Sequence, residues 1–148
     1  LPGRFQIVPG QPTLVLDVAH NPHAVAALAA NLDAMGFYPT THVVFGAMAD
    51  KDLDGIIRRI EPLADRWYFT DLPTARAEKA AGLQRRWEAV RSRSGVQASQ
   101  HPTPRAALDA AVATADPADR IVVFGSFYTV GAILEGGIPR LGAQHLRT

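Results

Sequence analysis

Short apolar runs alternate along the chain with longer segments of amphipathic or alanine-rich character. Leu14, Val15 and Leu16 follow one another with no polar residue between them, the pattern of a strand covered on both faces, as in parallel sheets flanked by helices. This run, Thr13 to Val18, is preceded by a short strand from Phe5 to Val8 and the turn Pro9-Gly10-Gln11-Pro12, so the two strands are expected to pair as a hairpin. Asn21 suits an N-cap and Pro22 the first helical position of a helix from His23 to Met35, which Gly36 ends. Thr41 to Phe45 reads as the next strand, and Asp52 as the cap of a helix from Leu53 to about Glu61, stopped by Pro62. The pattern then predicts a strand over Arg66 to Thr70, a helix over Ala77 to Arg93 and a short strand over Val96 to Ser99. A helix from about Arg105 to Ala115, a β-branched strand over Ile121 to Phe124 and a helix from about Thr129 to Leu134 complete the series.

Strands alternating with helices in this way form right-handed crossover units stacked into one sheet. The expected fold class is α/β: a Rossmann-like three-layer α/β/α sandwich, its sheet mostly parallel with an antiparallel edge hairpin. Ligands of such sheets sit beyond the carboxyl ends of the strands, where loop amides and helix N-termini converge. That rule singles out three loops.

Composition narrows the function classes. A length of 148 residues fits one domain, and 47% hydrophobic with 20% charged residues is ordinary for a globular one. A net charge of +1 argues against a nucleic-acid surface, and the cluster Arg85, Arg86, Arg91 and Arg93 reads as a solvated helix face. With no cysteine, disulfides and thiolate chemistry are excluded and a cytoplasmic location is expected. No apolar run reaches the roughly 20 residues of a membrane helix. The chain opens at Leu1-Pro2-Gly3-Arg4 without methionine, so a larger parent is expected; a monomer is the expected state.

The first loop, Asp17-Val18-Ala19-His20-Asn21-Pro22, places an acceptor for ribose hydroxyls and an imidazole beside a helix start; the plainer reading has Asn21 as a cap and His20 as loop decoration. In the second, Gly46-Ala47-Met48-Ala49-Asp50-Lys51-Asp52, Lys51 can hold a carboxylate or phosphate as a point charge, or can simply pair with its flanking aspartates. The third, Gly125-Ser126-Phe127-Tyr128-Thr129-Val130-Gly131, offers Ser126 either as an anion ligand or as a helix cap. His20 and His23 lack a third partner for a metal, and no phosphate-binding Gly-x-x-x-x-Gly-Lys-[Ser/Thr] loop is present.

With Leu1-Pro2-Gly3-Arg4-Phe5, these three loops resemble, in the same order, motifs of the folylpolyglutamate/dihydrofolate synthases of the Mur ligase superfamily. The resemblance spans about Leu1 to Leu134 and corresponds to the carboxy-terminal domain of that family, so residues 1–148 are expected to be that domain. It implies an ATP-dependent ligase that joins L-glutamate to dihydropteroate or folate through an acyl phosphate. ATP and Mg2+ would be held mainly by the amino-terminal ATPase domain, the expected partner, and the isolated domain would be inactive. It further implies Arg4 at the ATP phosphates, Asp17 at the ribose side, His20 near the incoming glutamate, and Lys51 and Ser126 at the glutamate carboxylates. His20 and Lys51 are thereby the catalytic candidates. Two other readings stay open: another amino-acid ligase of the superfamily, or a stand-alone module binding a nucleotide or amino acid.

Overall fold

The computed structural model describes residues 3–137, 139 and 141; Leu1 and Pro2 of the opening motif lie outside the described residues. The strands are β1 (Gln6–Val8), β2 (Thr13–Asp17), β3 (Thr41–Phe45), β4 (Arg66–Thr70), β5 (Gln97–His101) and β6 (Arg120–Phe124). The α-helices are α1 (Pro22–Ala34), α2 (Leu53–Ile60), α3 (Ala80–Val90), α4 (Pro104–Thr114) and α5 (Phe127–Leu134). One sheet runs in the order β1-β2-β6-β3-β4-β5. Its β1–β2 pair is antiparallel and every other pair parallel, as the hydrophobic pattern predicts.

The non-alternating strands divide between two cores. Val15, Val43, Phe45, Trp67, Phe69, Val122 and Phe124 point to one face and pack under α1, α2 and α3. Leu14, Leu16, Val44, Tyr68, Ile121 and Val123 point to the other, under α4 and α5. Successive side chains of a strand alternate between faces, so an unbroken apolar run requires helices on both sides, and the three-layer sandwich follows. Burying a large aliphatic or aromatic side chain contributes about 1.5–3 kcal/mol, and Trp67, Phe45, Phe69 and Phe124 are all fully buried.

Several element boundaries differ from expectation for local reasons. Phe5 has φ 37, outside the extended region, so β1 starts at Gln6. The helix expected from Ala77 starts at Ala80, because Ala77 bridges Met48 and the Glu78 N–H donates to the Ala47 carbonyl. It ends at Val90: the Arg93 guanidinium reaches the Ala64 carbonyl and the Asp65 carboxylate and draws the following loop away. The strand expected over Val96 to Ser99 runs instead over Gln97–His101, in register with Arg66–Thr70 of β4. The last helix starts two residues earlier than expected, since Ser126 caps it by accepting from the Thr129 N–H.

Candidate functional site

The last residues of three neighbouring strands stand level: Asp17 of β2 and Phe45 of β3 both pair with Phe124 of β6. The loops that leave them therefore emerge at one height on one rim. After β2 the chain crosses to β3, β4 and β5 on one side, then returns to insert β6 between β2 and β3. Such a reversal of strand order opens a crevice at the carboxyl ends.

Two glycines let the loops close together. Gly125 has φ +120, and a Cβ there would run into the Gly46 carbonyl oxygen and the Phe45 ring. A Cβ on Gly46 would sit 2.7 Å from Thr70 Cγ2. Across this contact Thr129 Oγ1 donates to the Gly46 carbonyl at 2.8 Å, so the β3–α2 and β6–α5 loops are tied to each other.

The crevice is a cleft of about 260 Å³. Its polar lining is His20, Asp50, Lys51, Arg76 and Ser126, and its apolar wall Met48, Phe127 and Tyr128. His20, Lys51 and Ser126, picked out from three separate loops, thus share one cavity. His20 Nδ1 lies 2.9 Å from the Val18 carbonyl. A carbonyl only accepts, so Nδ1 carries the hydrogen, and in the neutral ring Nε2 is left as the acceptor. The ring also leans on Phe127, centroids 5.9 Å apart.

Lys51 does not pair with its flanking aspartates. Asp52 accepts from the Gly55 N–H as the cap of α2, and no carboxylate lies within ion-pair distance of Lys51 among the described residues. Ser126 is buried and serves as the α5 cap. Its hydroxyl also lies 2.9 Å from Thr129 Oγ1. Because Thr129 spends its own proton on the Gly46 carbonyl, Ser126 is the donor in that contact. A carboxylate reaching Ser126 has to compete for this proton.

Asp17 and Arg4 stand on the same rim but do not line the cleft. Asp17 Oδ1 accepts from the Ala19 N–H at 2.9 Å. Burial pushes its carboxyl above the usual carboxylate range, opposed by hydrogen bonds from the Ala19 and Phe5 amides and by the Arg4 charge. Arg4 is exposed. Among the described residues no three histidine, aspartate or glutamate side chains are grouped to share a metal ion, and no helix is long and apolar enough to cross a membrane.

Arg76 is a cleft residue that no sequence motif marks. It lies in the loop after β4, which leaves the same rim because Phe69 of β4 pairs with Phe45. The strand-exit rule applied to β4 would have reached it; the residue sits six positions past the strand, and nothing local marks it.

A doubly wound sheet with a cationic cleft at its switch point defines a Rossmann-like domain, and the lining of that cleft has the chemistry to suit a small anionic ligand. Comparison with known proteins agrees: residues 3–127 match the Mur ligase, glutamate ligase domain. The chain is 36% identical over 135 residues to the dihydrofolate synthase/folylpolyglutamate synthase of Escherichia coli (strain K12), an alignment covering 91% of this chain and 30% of that protein. The solved structure of E. coli FolC in complex with DHPP and ADP superposes with a TM-score of 0.84 at 32% identity, covering 100% of this chain and 32% of that one. A bifunctional folylpolyglutamate synthase/dihydrofolate synthase with Mn, AMPPNP and L-glutamate bound superposes with a TM-score of 0.79 at 33% identity, covering 92% and 31%. The chain belongs to the Mur ligase family, through its glutamate ligase domain. It spans 30% of the length of the E. coli relative.

Proposed function

We propose that this chain is the carboxy-terminal, glutamate-positioning domain of an ATP-dependent ligase that adds L-glutamate to dihydropteroate or folate. Family membership supports the reaction class, and the observation that carries the reading is the convergence of His20, Lys51 and Ser126 on one small cationic cleft. Glutamate presents two carboxylates and one amine, and needs cationic or N–H donors for the first and a proton acceptor for the second.

On this reading ATP and Mg2+ are held mainly outside this chain, on an amino-terminal ATPase domain, where the folate carboxylate is activated as an acyl phosphate. This chain supplies the acceptor. Lys51 holds a glutamate carboxylate by charge, and Ser126 adds a hydroxyl once its proton turns from Thr129. His20 Nε2 faces the amine and takes its proton as the amide forms. Arg4 reaches towards the nucleotide phosphates and Asp17 towards the ribose, its carboxylate already braced by loop amides. Closing the domain over its partner brings the amine into line, a proximity effect worth about 7–11 kcal/mol of barrier when the geometry is near attack. The whole enzyme works as a cytoplasmic monomer.

The test uses the full-length enzyme with dihydropteroate or folate as the activated substrate and a muramyl precursor as the control. Lys51→Ala is expected to raise the KM for glutamate at least about 10-fold, the loss of roughly one charge-assisted hydrogen bond, with an unchanged melting temperature. Unaltered glutamate kinetics, or turnover of the muramyl precursor in place of the folate, would remove the assignment.

A further inference from the structure

The cleft holds a second cation that the site reading leaves idle. Arg76 lines the same cleft as Lys51 from a different loop, and its backbone is fixed there: the Ala49 N–H donates to the Arg76 carbonyl at 2.8 Å, and the next residue, Ala77, bridges Met48. The β4–α3 loop is thus stitched alongside the β3–α2 loop that carries Lys51. The Arg76 side chain is exposed, on a backbone held in place by these contacts.

The acids around it are engaged elsewhere. Asp52 caps α2, Asp71 accepts from the Ala80 N–H, and Asp54 and Glu78 both pair with Arg86. Neither Lys51 nor Arg76 has an ion-pair partner among the described residues. Asp50 is the one acid in the lining, against two full cations. The same lining includes the apolar side chains of Met48, Phe127 and Tyr128. Two cations and an apolar surface in one cleft match a ligand with two carboxylates joined by an aliphatic spacer.

The geometry points to Arg76 as the residue that reads the second carboxylate of the acceptor amino acid, the first being held at Lys51. This rests on the reading of the cleft as the glutamate site. Its guanidinium fork suits a carboxylate in two parallel hydrogen bonds, which a lysine cannot form. Arg76 therefore sets specificity for an acidic side chain over a neutral one.

The experiment compares Arg76→Gln, Arg76→Lys and Lys51→Ala in the full-length enzyme, with L-glutamate and with L-2-aminobutyrate, which lacks the distal carboxylate, as acceptors. Arg76→Gln is expected to raise the KM for glutamate about 30-fold, as for a lost charge-assisted bond, while leaving 2-aminobutyrate turnover and the KM for ATP unchanged. Arg76→Lys falls between, because it keeps the charge and loses the fork. Equal losses with both acceptors mean a structural role and overturn the proposal, as does a rise confined to the KM for ATP. If Lys51→Ala impairs glutamate use and Arg76→Gln does not, the site reading survives and the role of Arg76 fails. If neither variant changes glutamate kinetics, both fail.

Discussion

The two ends of the parallel strands handle charge in opposite ways. At the amino ends, Arg120 is buried, and its guanidinium donates to Thr41 Oγ1 at 2.8 Å and to the Leu32 carbonyl at 2.7 Å, while the Tyr38 ring covers it. Beside it His42 bridges Asp119 at 3.0 Å and the Tyr68 hydroxyl at 2.9 Å. Burial holds the Tyr68 hydroxyl above the usual phenol range, so it stays a donor. Among the described residues, the fully buried side-chain atom of that network without a hydrogen-bond partner is Asp119 Oδ1. At the carboxyl ends, Lys51 and Arg76 line a cleft in which, among the described residues, neither has a carboxylate within ion-pair distance. Polar groups used for architecture are satisfied internally, since a buried unpartnered charge is costly; the cations of the cleft are left near solvent, where being unpaired is cheap.

Substitutions sharpen or break this contrast. The largest effect is expected from Arg120→Met, which leaves the Leu32 carbonyl and Thr41 hydroxyl without their donor: about 2–4 kcal/mol of stability, read by urea denaturation. Gly125→Ala follows, at about 2–3 kcal/mol, because a side chain is strained at that φ and strikes Gly46. Thr129→Val should cost about 1–2 kcal/mol by stranding the Gly46 carbonyl; a neutral result would show that the loops do not depend on that bond.

Asp17→Asn gives a smaller effect of opposite sign. Burial raises the folded pKa of Asp17 above the ordinary carboxyl value of 3.8. The folded state therefore favours the protonated carboxyl: its stabilising contribution is full below pH 3.8 and disappears as pH rises through the folded pKa. Asn retains an oxygen for the Ala19 N–H and cannot ionise. The variant should be more stable than the parent at pH 7, and the difference should vanish in acid, as followed by thermal melts across pH. Lys51→Ala is expected to change stability least, within about 0.5 kcal/mol; a larger loss would place Lys51 with the architectural charges.

Much of the site was legible because it sits at strand exits. Thr13 to Val18, Thr41 to Phe45 and Ile121 to Phe124 are recognisable by apolar runs, and the loops behind them hold His20, Lys51 and Ser126. Arg76 escaped because its place in the cleft depends on the Met48–Ala77 bridge, a pairing between loops that no local pattern announces. Ser126 caps α5, one of its two expected uses, and also lines the cleft.

The chain alone determined the layers. Unbroken apolar strands demand cover on both faces, and the caps Asn21, Asp52 and Ser126 mark where helices begin, all through interactions among near neighbours. Folding decided where β6 is inserted, which acids are engaged and which cations are left free, and where the Ser126 proton points. These depend on partners distant in sequence, such as Gly46 and Thr129, or Leu32 and Arg120, whose meeting is set by the packing of the whole sheet.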